Sequence, residues 1–129
     1  MNEELESKIS DLEKLPEDEL MKIIGAYALD QSDQAKKIGI NKRKSSTDLE
    51  KAAKRYFRKI RPILVNTICG PDGIAHYAEQ ATVKDIIVVL LPVLGISTLG
   101  IVPTAVIAIS IIIVRSGIRE FCKKYSRYI

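Results

Sequence analysis

The stretch Ile86–Val114, IIVVLLPVLGISTLGIVPTAVIAISIIIV, decides how this chain folds. It runs for twenty-nine residues without a charge. A run of eighteen or more apolar residues is the usual mark of a membrane span. This run, however, contains Pro92, Gly95, Gly100 and Pro103, which interrupt helices. As one straight helix it would measure roughly 43 Å against roughly 30 Å of hydrocarbon, an excess that tilt absorbs in part. The preferred reading is a helical hairpin. Its bend falls at Ser97, Thr98, Leu99 and Gly100, and Pro103 sits in the first turn of the second helix. The first helix is expected over about 82–96, the second over about 103–123. At roughly 22 Å, the first is too short to cross a bilayer alone.

Charge placement agrees with a hairpin. Arg55, Arg58, Lys59 and Arg61 precede the run; Arg115, Arg119, Lys123 and Lys124 follow it. Basic flanks tend to remain on the cytoplasmic side of a membrane, and a hairpin keeps both there. Inside lipid, the open backbone of the bend would need partners from a neighbouring copy, and the small residues Gly95, Ser97, Thr98 and Gly100 allow close approach. Ile112 marks the middle of the second helix. Two alternatives stand beside this reading. A helix apolar all round also suits the core of a soluble helical domain. The β-branched runs at 86–89 and 111–114 also suit buried strands. The spacing of Val114, Ile118, Phe121 and Cys122 favours helix.

The remaining 81 residues read as a charged helical region. Leu5, Ile9, Leu12 and Leu15 form a first stripe. Pro16 and the acids Glu17, Asp18 and Glu19 open a second helix carrying Leu20, Ile23, Ile24 and Tyr27. Residues 30–46 are polar and basic and read as a linker. Thr47-Asp48-Leu49-Glu50 is a candidate capping box for a third helix through Ala52, Ala53, Tyr56, Phe57 and Ile60, running to about Ile68 with a kink or break at Pro62. The fold class expected is therefore all-α: a small helical region over 1–81, then an apolar helical hairpin with a basic tail over 82–129.

Chemistry is sparse. The one histidine, His76, can be paired with Cys69 as base and nucleophile, but no third orienting group or family signature accompanies them, and His76 reads as a structural or surface residue. No metal, phosphate or cofactor motif occurs, so neither an enzyme nor a cofactor is expected. Two cysteines, Cys69 and Cys122, make no disulfide framework and read as small buried apolar groups. The acidic start MNEELESKISDLEKLPEDEL lacks the pattern of a signal peptide, which places the protein on the cytoplasmic side of the inner membrane or in the cytoplasm. Residues 36–61 hold eleven Lys or Arg against two acids. That balance attracts anionic lipid at roughly 1 kcal/mol per charge near the surface. A solvated helix face plus a loop is the first reading of this cluster, anionic lipid the second and nucleic acid the third, because no recognition motif accompanies the charge.

Three short elements carry a resemblance: Leu15 to Glu17, a helix ending in Cys69, and the apolar helix after Pro103 that closes with Gly117 to Cys122. They resemble a group of small bacterial proteins of unknown function that share a Leu-Pro-Glu-Glu-like start and a terminal Gly-x-x-x-Phe-Cys. Such proteins often carry a Lys or Arg earlier in the last helix, whereas 107–114 is uncharged here. The resemblance implies a helical protein and no known activity. Two functions are expected from the sequence. One is an oligomeric, membrane-perturbing or pore-forming effector of toxin or defence type. The other is a soluble helical adaptor with the hairpin as its core and a protein partner.

Overall fold

The computed structural model describes residues 3–30, 46–70, 82–94 and 103–125. All regular structure among them is α-helical: α1 Glu3–Glu13, α2 Glu17–Asp30, α3 Ser46–Cys69, α4 Val83–Val93, α5 Thr104–Ser116 and α6 Ile118–Tyr125. The all-α expectation holds. The predicted bend around Gly95, Ser97, Thr98 and Gly100, the linker and His76 lie outside the described residues.

α5 is the centre of the molecule. From Ala105 to Ile111 every side chain is buried, and Ile113 is buried as well. α1, α2, α4 and α6 all pack on it. Each shell helix contributes its apolar stripe: Leu5, Ile9 and Leu12 from α1, Leu20 and Ile24 from α2, and Ile86, Ile87 and Leu90 from α4. Ser110 is the one buried polar side chain among the described residues, and its hydroxyl donates to the Val106 carbonyl at 2.8 Å. That bond removes the cost of an unpaired hydroxyl.

Local chemistry sets the helix ends. Pro16 offers its carbonyl to the Glu19 and Leu20 amides at 3.1 and 3.2 Å, and Glu17, Asp18 and Glu19 complement the positive end of α2. α3 begins at Ser46, so Thr47 falls inside its first turn rather than before it. The capping box observed lies instead at α4. There the Thr82 hydroxyl accepts from the Asp85 amide at 3.3 Å, and the Asp85 carboxylate accepts from the Thr82 amide at 2.8 Å. α3 continues through Pro62 to Cys69, with no break. Pro103 precedes α5 as its N-cap and accepts from the Val106 amide at 3.0 Å.

Two expectations need correction. The helix predicted over about 103–123 is two helices, separated by Gly117, whose φ of 86° is a conformation that residues with a β-carbon rarely adopt. The cysteines are not separate apolar groups: Cys69 at the end of α3 is bonded to Cys122 in α6.

Candidate binding groove and cationic face

Helix α3 is strongly amphipathic. Ala52, Ala53, Ile60, Leu64, Val65 and Ile68 are buried. Its outer surface carries Lys51, Lys54, Arg55, Arg58 and Lys59, with Arg61 half-buried at the edge. No acid interrupts residues 51–61. Helical spacing sorts these bases into two ridges. Lys51, Arg55 and Lys59 form one; Lys54, Arg58 and Arg61 form the other.

The second ridge borders a groove of about 380 Å³. Phe57 and Leu64 of α3, Ile112 and Ile113 of α5, Met21 of α2 and Phe121 of α6 form its floor. Lys54, Arg58 and Arg61 line one side, and Lys124 and Ser116 line the α6 end, with Glu17 of α2 the one acid among the described residues. The turn at Gly117 directs α6 away from the axis of α5. The disulfide then holds α6 against the end of α3, with 5.6 Å between the two Cα atoms. Phe121 and Lys124, one turn apart, reach the groove through that geometry.

The sequence-predicted residues disperse. Arg58, Arg61, Lys124 and Ile112 meet at the groove. Arg55 and Lys59 lie on the neighbouring ridge; Arg119 and Lys123 are exposed on α6. Pro92 is exposed in the last turn of α4, beside Val88 and Val93, which are 50% and 42% exposed. Pro103 is half-buried at the start of α5. Arg115 acts within the fold, where its guanidinium Nη2 donates to the carbonyls of Glu13 and Leu15, both at 2.7 Å. It thereby supplies the end of α1 with donors that the helix itself lacks. Sequence reasoning missed Lys54, Phe57, Met21 and Phe121 as site residues. The stripe of Lys54, Phe57, Arg58, Arg61 and Leu64 at three-to-four spacing was the available signal.

Among the described residues, three groups are shifted from their ordinary values. Glu6 of α1 pairs with Lys84 of α4, and this hydrogen bond and charge hold its carboxyl below the usual range. The Glu19 carboxylate, 3.1 Å from Lys22, raises that ammonium. Burial raises the Tyr56 phenol, with Tyr27 adding to it; the two rings meet edge to face with centroids 5.9 Å apart. None of these groups assembles a proton relay in the groove. Among the described residues no cluster of His, Cys, Asp or Glu could hold a metal ion, and no helix is long and apolar enough to cross a membrane.

No protein-family model, curated protein or solved structure matches this chain. The short motifs behind the bacterial resemblance do have structural positions. Leu15 receives Arg115, Pro103 starts the core helix, Gly117 turns the chain, and Cys69 and Cys122 are bonded.

Proposed function

We propose that this chain is a small non-enzymatic helical binding module that works at an anionic membrane surface. Its apolar helix α5 serves as folding core and not as a standing membrane span. The observation that carries this reading is the unbroken cationic surface of α3, with six Lys or Arg between 51 and 61 and no acid. Several charges close to an anionic surface, at roughly 1 kcal/mol each, suffice for reversible attachment. The disulfide weighs towards the oxidising side of that membrane rather than the cytoplasmic side expected from the sequence, since such bonds persist where thiols are not kept reduced.

Co-sedimentation with vesicles tests the proposal. Binding should require anionic lipid, weaken steeply with salt, and fall in a Lys51→Glu, Arg55→Glu, Lys59→Glu variant that keeps its helical circular dichroism. If the wild-type protein stays in the supernatant with anionic vesicles at low salt, the surface reading is wrong. A soluble adaptor for an acidic protein partner then takes its place.

A second reading has one observation in its favour. Val88 and Val93 expose apolar surface on α4, next to the uncharged stretch that contains Gly95, Ser97, Thr98 and Gly100. In this reading α4 and the following segment insert and several copies associate to perturb the bilayer. Release of a trapped dye from vesicles, reduced by Gly100→Leu, would favour insertion. Dye retention at every protein density, with the protein bound, excludes it.

A further inference from the structure

We infer that the groove between α3 and α6 is a binding site for a single-chain lipid anion, a long-chain carboxylate of the kind a membrane releases. This inference rests on the membrane-surface reading and adds an occupant to it. The groove has the size and build of a small-molecule site. Its volume of about 380 Å³ lies within the usual range for ligand pockets, roughly 300–1,000 Å³. Its floor is apolar, with Phe57, Ile112 and Phe121 from three different helices. Among the described residues Glu17 of α2 is the one acid on its lining, against four bases that stand on opposite sides, Lys54, Arg58 and Arg61 on α3 and Lys124 on α6. Such a lining fits a molecule with one apolar chain and one negative end. A neutral hydrocarbon would give Lys54 and Arg58 no counter-charge, and a small anion would leave the floor in water. The chain lies along Phe57 and Ile112, and the carboxylate meets Arg58, whose planar guanidinium can donate two parallel bonds to it.

The site is also held in place. Phe121 stands beside Cys122, and the bond to Cys69 fixes that end of α6 on α3. Ser116 borders the groove and donates its hydroxyl to the Ile112 carbonyl at 3.0 Å, so a bulky side chain at this exposed position can fill the groove with little disturbance of the core.

Calorimetric titration of the full-length oxidised protein with dodecanoate, kept below its micellar concentration, tests the inference. One dodecanoate should bind per chain. Dodecanol and butyrate, which lack the charge or the chain, should each bind about tenfold more weakly or worse. Lys54→Glu with Arg58→Glu, and separately Ser116→Trp, should abolish the tight phase while the circular dichroism and thermal midpoint stay near wild type. Equal affinity for dodecanoate and dodecanol overturns the inference, as does undiminished binding by folded Ser116→Trp protein. If anionic vesicles bind the protein and dodecanoate does not, the groove assignment alone fails. If neither binds, the surface reading fails with it.

Discussion

Gly25 of α2 lies directly against the main-chain carbonyl of Leu49 in α3. A β-carbon at position 25 would fall 1.9 Å from that oxygen, well inside contact distance. The two helices therefore meet backbone to backbone, and this approach allows α2 and α3 to pack so extensively. Replacing a helical Gly with Ala ordinarily gains up to about 1 kcal/mol. Here the sign should reverse. Gly25→Ala is expected to lose about 1–3 kcal/mol, the usual range for overpacking, because backbone rather than a flexible side chain must yield. Urea unfolding measures it. Gly25→Ala protein as stable as wild type would show that the helices can move apart freely.

Arg115 donates to two carbonyls at the end of α1. Arg115→Met keeps much of the stem and removes the donors. It is expected to cost about 1.5–3 kcal/mol, the range for hydrogen bonds from a charged group. Arg115→Lys should recover only part of this, since one ammonium replaces a planar fork. Hydrogen exchange of amides near the α1–α2 corner should quicken in both variants. If only the groove responds and this corner does not, the clamp is not structural.

The bond between Cys69 and Cys122 closes a segment with a sequence separation of 53. Loop-closure entropy for such a length gives about 4 kcal/mol as a guide to what reduction removes. Dithiothreitol, or Cys69→Ser with Cys122→Ser, should lower the thermal midpoint and free α6 first. Thiol titration of denatured wild-type protein should find no reactive thiol before reduction and two after it. Two thiols before reduction would show that no such latch forms.

Tyr56 gives the stability curve an alkaline edge. Burial raises its phenol above the ordinary value of 10.0, so the folded state keeps its proton where the unfolded state loses it. Its contribution is complete below that ordinary value and is lost as pH climbs through the raised one. Tyr56→Phe should flatten the fall in stability above about pH 10 while changing little at pH 7. An unchanged alkaline slope in that variant would assign the loss to other groups.

The helical stripes were legible from local pattern. Leu5, Ile9 and Leu12 in α1, and Leu20 and Ile24 in α2, are buried as their spacing required. The surroundings of α5 were not legible, because a helix apolar on every side reads alike in lipid and in a helical shell. Gly117 was hidden by the regular recurrence of Val114, Ile118 and Phe121, which continues in register across the turn. Cys69 and Cys122 meet only because that turn redirects α6, so their bond had no local sign. Half of the groove was visible in the spacing of Arg58 and Arg61 along α3. Its other walls come from α2, α5 and α6, and no pattern along one helix could have joined them.

The clamp from Arg115 also has a place in time. A growing chain presents Leu15 100 residues before it presents Arg115. At roughly 5–20 residues per second, the two are made roughly 5–20 s apart. Throughout that interval the N-terminal corner lacks its clamp, and α2, which packs first on α3, still lacks the share of its cover that α5 supplies. The N-terminal helices thus keep an apolar face partly uncovered until α5 has been made. During that window a chaperone or a neighbouring nascent chain competes with α5 for the same surface.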